Sequence, residues 1–146
     1  DAAIDYRGKD VAALADAIST ACPAGVDVFF DNVGGIVLDA ALARMNHGGR
    51  IAACGFISQY DAASPPVMTN LFHLIAKALD LRGFLLFEFE DQYERARVEL
   101  CRWLAEGRIR FRTDILDGLE AAIPAFLSLF AASNKGKLIV KLDRAR

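Results

Sequence analysis

Hydrophobic positions along the chain follow two spacings, which predict helices and strands in alternation. Behind Asp10, apolar residues recur every three or four positions from Val11 to Ile18, as in an amphipathic helix with an N-terminal cap. Residues 26–30 form a continuous apolar run, which predicts a strand buried on both faces. The same patterns predict strands at 3–6, 26–30, 50–54, 81–87 and 137–142, and helices at 11–18, 37–45, 68–79, 92–106 and from Pro124 onward. We therefore expect an α/β fold with one parallel sheet and helices on both faces.

Helical spacing also predicts which side chains the later helices bury. The predicted core positions are Tyr93, Ala96, Leu100, Trp103 and Leu104 in the first of these helices, and Phe126, Leu127 and Phe130 in the second. Residues 81–87 are the most apolar strand candidate, so we expect them to lie inside the sheet.

Three of the predicted strands end in polar or glycine-containing turns. These turns are Asp5-Tyr6-Arg7, "DNVGG" at 31–35, and Cys54 followed by Gly55. Because the carboxyl ends of parallel strands share one edge of a sheet, we expect Tyr6, Asn32, Cys54 and Gly55 to line one crevice. The sequence contains no G-x-G-x-x-G motif. Either the crevice binds no dinucleotide, or the glycine-rich loop lies upstream of Asp1.

Composition and charge narrow the class of partner. The 146 residues are 54% hydrophobic with a formal net charge of −2, which supports a sizeable core and predicts neither nucleic acid nor an anionic membrane as partner. No run approaches the about 18 consecutive apolar residues of a membrane span. Three cysteines without a C-x-x-C pair, and two histidines without ligand spacing, predict no disulfide framework and no metal site. We expect a reducing, cytoplasmic compartment.

Five segments together resemble one enzyme family. The segments "FFDNVGG", "RIAACGFISQYD", "LRGFLLFEFEDQY", "WLAEGRIRFRTDILDGLEAAIPAFLSLF" and "NKGKLIVKL" are similar to the zinc-independent medium-chain dehydrogenase/reductases. Within them, the chain is most similar to the branch of prostaglandin reductase, leukotriene B4 12-hydroxydehydrogenase and alkenal double-bond reductase. The resemblance implies that residues 1–146 are part of a Rossmann-like dinucleotide-binding domain plus the C-terminal segment. The GroES-like catalytic domain and the first glycine-rich βαβ unit are expected to be absent from this stretch.

The resemblance also implies an activity and the residues that support it. Enzymes of this branch use NADPH to reduce the carbon–carbon double bond of α,β-unsaturated ketones and aldehydes. Tyr60 matches a tyrosine that orients the substrate or protonates the developing enolate. Asp61 replaces the family's usual asparagine, which leaves substrate preference open. Cofactor contacts are implied for Tyr6, Asn32, Cys54, Gly55, Ile57, Phe84, Leu85, Leu86, Asn134 and Gly136.

Each candidate also has an ordinary structural explanation. Tyr6 suits a half-buried strand end, Asn32 is a common turn former, and Cys54 suits a small buried hydrophobe. For Tyr60, only the surrounding "ISQY" sequence favours a functional role over that of an ordinary loop residue. The residue that selects NADPH over NADH is not included in the sequence, so that choice stays open.

Three functional alternatives follow. "DNVGG" and "ISQYD" favour the double-bond reductases over a zinc-independent quinone oxidoreductase, which would share the fold and NADP(H). A non-catalytic binding or dimerisation module is the third alternative, because the glycine-rich loop is missing. In the enzymes that the chain resembles, the segment matching 81–87 often pairs with its copy in a second subunit, so we expect a homodimer.

Overall fold

The computed structural model of the chain describes residues 2–60, 64, 67–130 and 135–142. The chain divides into two compact units, Asp1–Glu90 and Asp91–Arg146. The first contains a three-stranded sheet and the second a two-stranded sheet. Every strand pair described is parallel, which confirms the predicted parallel α/β class, although two sheets replace the single sheet expected.

The sheet of the first unit contains β1 (Val26–Asp31), β2 (Met45–Ala53) and β3 (Asp80–Gly83), in that spatial order. The helix α2 (Gly35–Arg44) connects β1 to β2, while α1 (Val11–Ala21) precedes β1 and α3 (His73–Ala76) precedes β3. The Asp10 carboxylate accepts a hydrogen bond from the Ala13 N–H at 2.8 Å, so the predicted cap of α1 is confirmed. Because the strands are parallel, their carboxyl ends lie at one edge of the sheet.

The core of the first unit lies between α2 and this sheet. Leu38 and Leu42 of α2 pack with Met45 and Ile51 of β2, and none of the four is more than 3% exposed. Burial of each such side chain stabilises the fold by about 1.5–3 kcal/mol. A second cluster joins α1 to α2 and contains Leu14, Ala15 and Ala40. These two clusters fix the position of α2, and with it the turn that leads out of β1.

A buried acid ties α2 to the segment before α3. Asp39 is fully buried, and its Oδ1 accepts the Asn70 N–H while its Oδ2 accepts the Thr69 hydroxyl, both at 2.7 Å. The Thr69 N–H lies 3.0 Å from Oδ1 and 3.1 Å from Oδ2. Since a buried carboxylate requires hydrogen-bond partners, this contact fixes the position of residues 69–70.

The second unit contains α4 (Tyr93–Ala105), β4 (Thr113–Asp117), α5 (Ala122–Phe130) and β5 (Lys137–Lys141). Its two strands pair with Ile115 opposite Ile139. Both helices form where the sequence predicts them, but the prediction of their buried faces is wrong. Tyr93, Ala96, Leu100, Leu104, Phe126, Leu127 and Phe130 are exposed, and Trp103 is partly buried. A two-stranded sheet offers too little apolar surface to cover two helices.

Several predicted elements differ from the structure. Residues 3–6 form no strand, because a strand requires a ladder partner and no described residue pairs with them. The helix predicted at 68–79 is limited to α3, and β4 was not predicted. The predicted strand 81–87 ends at Gly83 and is followed by two 3₁₀ turns within Leu86–Gln92, separated by a kink at Phe89. β3 is exposed and lies at the edge of the sheet, not in its interior.

Candidate functional site at the strand ends

The turn that follows β1 is held by its own first residue. Asp31 is fully buried, and its Oδ1 accepts the N–H groups of Val33 at 3.0 Å and Gly34 at 2.9 Å. Gly34 has φ +68°, and a Cβ added there would enter the ring of Phe56. Both the backbone conformation and the close approach therefore require glycine. Asp31 Oδ2 is buried without a hydrogen-bond partner in the described part of the chain.

The end of β2 lies directly beside this turn. The N–H groups of Cys54 and Gly55 both donate to the Asp31 carbonyl, at 2.7 and 3.3 Å. A Cβ added to Gly55 would lie 2.7 Å from Asn32 Oδ1 and 3.6 Å from the Tyr60 hydroxyl. Asn32 and Tyr60 thus approach the same side of Gly55, so three predicted site residues lie together. The Cys54 side chain is exposed, which contradicts its alternative assignment as a small buried hydrophobe.

Tyr60 ends a short 3₁₀ turn, Ile57–Gln59. Its N–H donates to the Ile57 carbonyl at 3.3 Å, and its side chain is 70% exposed. Ile57 is 54% exposed on the same turn. A phenol and an amide beside a bare glycine backbone are suited to hold a planar polar ligand through directional hydrogen bonds. Asp61 lies outside the described residues.

Phe84, Leu85 and Leu86 follow β3 rather than forming part of it. Their assignment to a strand is therefore wrong, but the end of β3 shares the sheet edge with the ends of β1 and β2. The Phe84 ring lies 6.1 Å from the ring of Phe30 and 5.9 Å from that of Phe89, measured between centroids. A cavity of about 360 Å³ is lined by Val28, Arg50, Ile51, Ala52, Asp80, Arg82, Phe84 and Phe89. Phe84 is the one predicted site residue in this lining.

The remaining predicted site residues are Tyr6, Asn134 and Gly136. Tyr6 is 42% exposed, and its carbonyl accepts the Lys9 N–H at 3.2 Å. Asn134 lies outside the described residues. Gly136 belongs to the second unit, where an added Cβ would collide with the backbone of Arg112. Close packing against Arg112 therefore requires a glycine at position 136.

Two charged groups of the first unit have pKa values displaced by their surroundings. The Arg7 side chain, which donates to the carboxylate at 2.8 and 2.9 Å, lowers the pKa of Asp5 to about 2. Burial, followed by the nearby Arg44 charge, lowers the pKa of Lys77. Lys77 Nζ donates to the carbonyls of Leu42 and Ala43 at 3.3 and 2.8 Å, so this ammonium caps the end of α2. Neither group forms part of the cluster around Gly55.

Metal-ligand clusters and membrane-spanning helices are both missing from the described residues. Those residues contain no group of three or more His, Cys, Asp or Glu side chains arranged to hold a metal ion. None of the helices described is long and apolar enough to cross a membrane.

The chain is similar to known oxidoreductases. It is 42% identical over 127 residues to a zinc-type alcohol dehydrogenase-like protein of Schizosaccharomyces pombe, which covers 86% of this chain and 36% of that protein. It is 38% identical over 144 residues to the NADP(+)-dependent 2-alkenal reductase of Nicotiana tabacum, covering 99% of this chain and 41% of that enzyme. The crystal structure of CurA from Vibrio vulnificus in complex with NADPH is 34% identical with a TM-score of 0.86, covering 99% of this chain and 44% of that one.

These similarities cover nearly all of this chain but a smaller share of each relative. The chain spans 36% and 41% of the lengths of the two curated relatives. The family profile described as zinc-binding dehydrogenase matches residues 1–102 of the 146. The chain therefore belongs to the zinc-binding dehydrogenase family, within the zinc-independent medium-chain dehydrogenase/reductase branch that its motifs predict.

Proposed function

We propose that this chain is the cofactor-binding part of an NADPH-dependent reductase that acts on the carbon–carbon double bond of α,β-unsaturated ketones and aldehydes. The observation that carries the proposal is the convergence of Asn32 and Tyr60 on Gly55 at the carboxyl edge of a parallel sheet. The likeness to a tobacco 2-alkenal reductase supports the same reaction class. The share of that enzyme covered by the chain supports a longer protein with a separate catalytic domain.

The residues at the strand ends fit a nicotinamide dinucleotide. Asn32 Oδ1 lies close over the bare backbone of Gly55 with the Tyr60 hydroxyl nearby, so an amide and a phenol can hydrogen-bond to the polar groups of a bound nicotinamide and its ribose. Asn32 and Tyr60 are both exposed, so their polar groups are accessible to a ligand. We assign cofactor contacts to Tyr6, Asn32, Cys54, Gly55, Ile57, Phe84, Leu85, Leu86, Asn134 and Gly136.

Tyr60 is the residue of this chain to which we assign a catalytic role. When bound, NADPH supplies the hydride that adds to the β-carbon of the enone. Negative charge then develops on the carbonyl oxygen as an enolate forms. The Tyr60 hydroxyl donates a hydrogen bond to that oxygen and so stabilises the charge where it develops, and the α-carbon then takes its proton from solvent.

Two alternatives are separated from this proposal by activity assays. A zinc-independent quinone oxidoreductase would share the fold and NADP(H), and a non-catalytic binding module would turn over neither substrate. We expect the complete protein to oxidise NADPH with a 2-alkenal at least about tenfold faster, in kcat/KM, than with a quinone. This tenfold ratio is about 1.4 kcal/mol of discrimination. Measurement of NADPH absorbance with both substrates tests this, and a preference for the quinone would overturn the assignment.

The isolated 146 residues are expected to be inactive in the same assay.

We further propose that the complete protein is a homodimer that pairs at β3. This strand lies at the sheet edge, and Phe87, just beyond it, is 63% exposed. Phe87→Glu is expected to convert the dimer to a monomer in light scattering after size exclusion. Phe111→Glu, at a residue that is 74% exposed in the second unit, is the matched control and leaves the mass unchanged. A monomeric wild type, or a dimeric Phe87→Glu variant, would contradict the proposal.

A cytoplasmic location is proposed on the chemistry of the cysteines. Cys22, Cys54 and Cys101 are all free and exposed. Exposed free thiols persist best in a reducing compartment. From the proposed reaction, the physiological partner that we propose is a small enone or alkenal. We propose neither nucleic acid nor a membrane as a partner.

A further inference from the structure

The loops after β1 and β2 remain paired beyond the end of the sheet. The Cys54 N–H donates to the Asp31 carbonyl at 2.7 Å, and the Ile57 N–H donates to the Asn32 carbonyl at 3.4 Å. The Ser58 N–H donates to the Val33 carbonyl at 3.1 Å. Residues 54–58 therefore run alongside residues 31–33, and the loop that carries Tyr60 is attached to the loop that carries Asn32.

Ser58 adds a side-chain bond to this pairing. Its hydroxyl donates to the Val33 carbonyl at 2.6 Å, so the same carbonyl accepts both the N–H and the O–H of Ser58. Val33 is itself held in place, because its N–H donates to the buried carboxylate of Asp31 at 3.0 Å. The acceptor of the Ser58 hydroxyl thus lies on a turn that the fold fixes independently.

The position of Tyr60 depends on this attachment. The Tyr60 side chain is 70% exposed, so its own packing does little to fix the ring. Its hydroxyl lies 3.6 Å from the position that a Gly55 Cβ would occupy, and its N–H is bonded back to Ile57 within the same short turn. Ser58 therefore joins the Tyr60 turn to the Asn32 turn through a side-chain hydrogen bond.

We propose that Ser58 is a positioning residue that holds the Tyr60 hydroxyl in its reactive place, an inference that rests on the proposed function. The Ser58 hydroxyl need not contact the substrate or the cofactor, because its proton is donated to Val33. Its effect is transmitted through Tyr60, since a misplacement of about 1 Å at a reacting group is enough to slow catalysis. Loss of the hydroxyl leaves the backbone bond in place, so the turn loosens rather than unfolds.

The complete protein carrying Ser58→Ala is expected to lose about five- to tenfold in kcat for a 2-alkenal, as expected for the loss of one hydrogen bond. The KM for NADPH is expected to stay within about twofold of wild type. Ser58→Thr keeps the hydroxyl and is expected to restore most of the rate. Gln59→Ala changes the neighbouring side chain of the same turn and serves as the matched control, with no effect expected.

A double variant tests whether Ser58 acts through Tyr60. Once Tyr60→Phe has removed the phenol, Ser58→Ala is expected to cause no further loss beyond about twofold, since the two residues act as a unit. Additive losses would overturn the inference, because Ser58 would then act independently. An unchanged kcat in Ser58→Ala, with an active wild type, would overturn it as well and leave the proposed function standing.

Hydrogen exchange separates failure of this inference from failure of the proposed function. In Ser58→Ala, the amides of residues 57–60 are expected to exchange about tenfold faster, while those of β1 and β2 stay unchanged. If the wild type reduces no enone, the proposed function fails and the inferred catalytic role of Ser58 fails with it. Faster exchange would then still show that Ser58 anchors the turn, and unchanged exchange would exclude the anchor too.

Discussion

Replacing Asp39 with alanine is expected to lower the free energy of unfolding of the first unit by about 3 kcal/mol. The Asp39 carboxylate is fully buried and accepts the N–H and O–H of Thr69 and the N–H of Asn70, at distances between 2.7 and 3.1 Å. Alanine removes every one of these acceptors and leaves a small void at a fully buried position. Water can reach Thr69, which is exposed, so the loss stays below the sum of the individual bonds.

The matched control is Asp16→Ala, which removes a carboxylate that Arg44 binds at 2.6 Å. The Asp16 side chain is 77% exposed, so we expect a change of less than about 1 kcal/mol. Asp39→Asn keeps one acceptor oxygen and should lie between the two. Urea unfolding should be followed by far-UV circular dichroism, because the one tryptophan, Trp103, reports the second unit. Equal effects of Asp39→Ala and Asp16→Ala would contradict the proposed anchor.

The local part of this architecture is readable from the sequence. The apolar run ending in "DNVGG" predicts both β1 and its turn, because strand propensity and glycine preference act over a few neighbouring residues. The cap at Asp10 is local for the same reason and forms as expected. The length of the strand predicted at 81–87 could not be predicted from the sequence, because the length of an edge strand depends on its pairing partner. Pairing of β3 with β2 ends at Gly83.

Contacts between distant segments could not be predicted from one sequence. Asp39 and Thr69 are 30 residues apart, and Ser58 and Val33 are 25 residues apart. No local sequence pattern therefore predicts either hydrogen bond. Asn32, Gly55 and Tyr60 were each predicted as site residues, but the role of Asp31 in holding the turn was not predicted. The pattern D-x-x-G at residues 31–34 is the signal that could have indicated it, because an aspartate side chain often accepts hydrogen bonds from the N–H groups of the residues that follow it. Phe126 was predicted to be buried but is exposed, because helical spacing identifies the apolar face of a helix and does not identify which element packs against that face.

The second large effect is expected from Tyr60→Phe in the complete protein, which should lower kcat for a 2-alkenal about 100-fold. This loss equals about 2.7 kcal/mol of transition-state stabilisation. Phenylalanine retains the ring and removes only the O–H that we assign to the developing enolate. The Tyr60 side chain is 70% exposed, so water can partly replace the lost donor. The expected loss in kcat therefore lies at the lower end of the about 100- to 10,000-fold range that is usual for a general acid.

The division between kcat and KM decides what Tyr60 does. A donor to the enolate acts only as charge develops, so the KM for NADPH should remain within about twofold of wild type. Tyr93→Phe removes the same group from a side chain that is 42% exposed on α4, and it should leave both constants unchanged. A loss confined to the KM for NADPH would make Tyr60 a cofactor contact. A kcat within threefold of wild type would mean that the enolate is stabilised from elsewhere, and the convergence of Tyr60 on Gly55 would then serve binding alone.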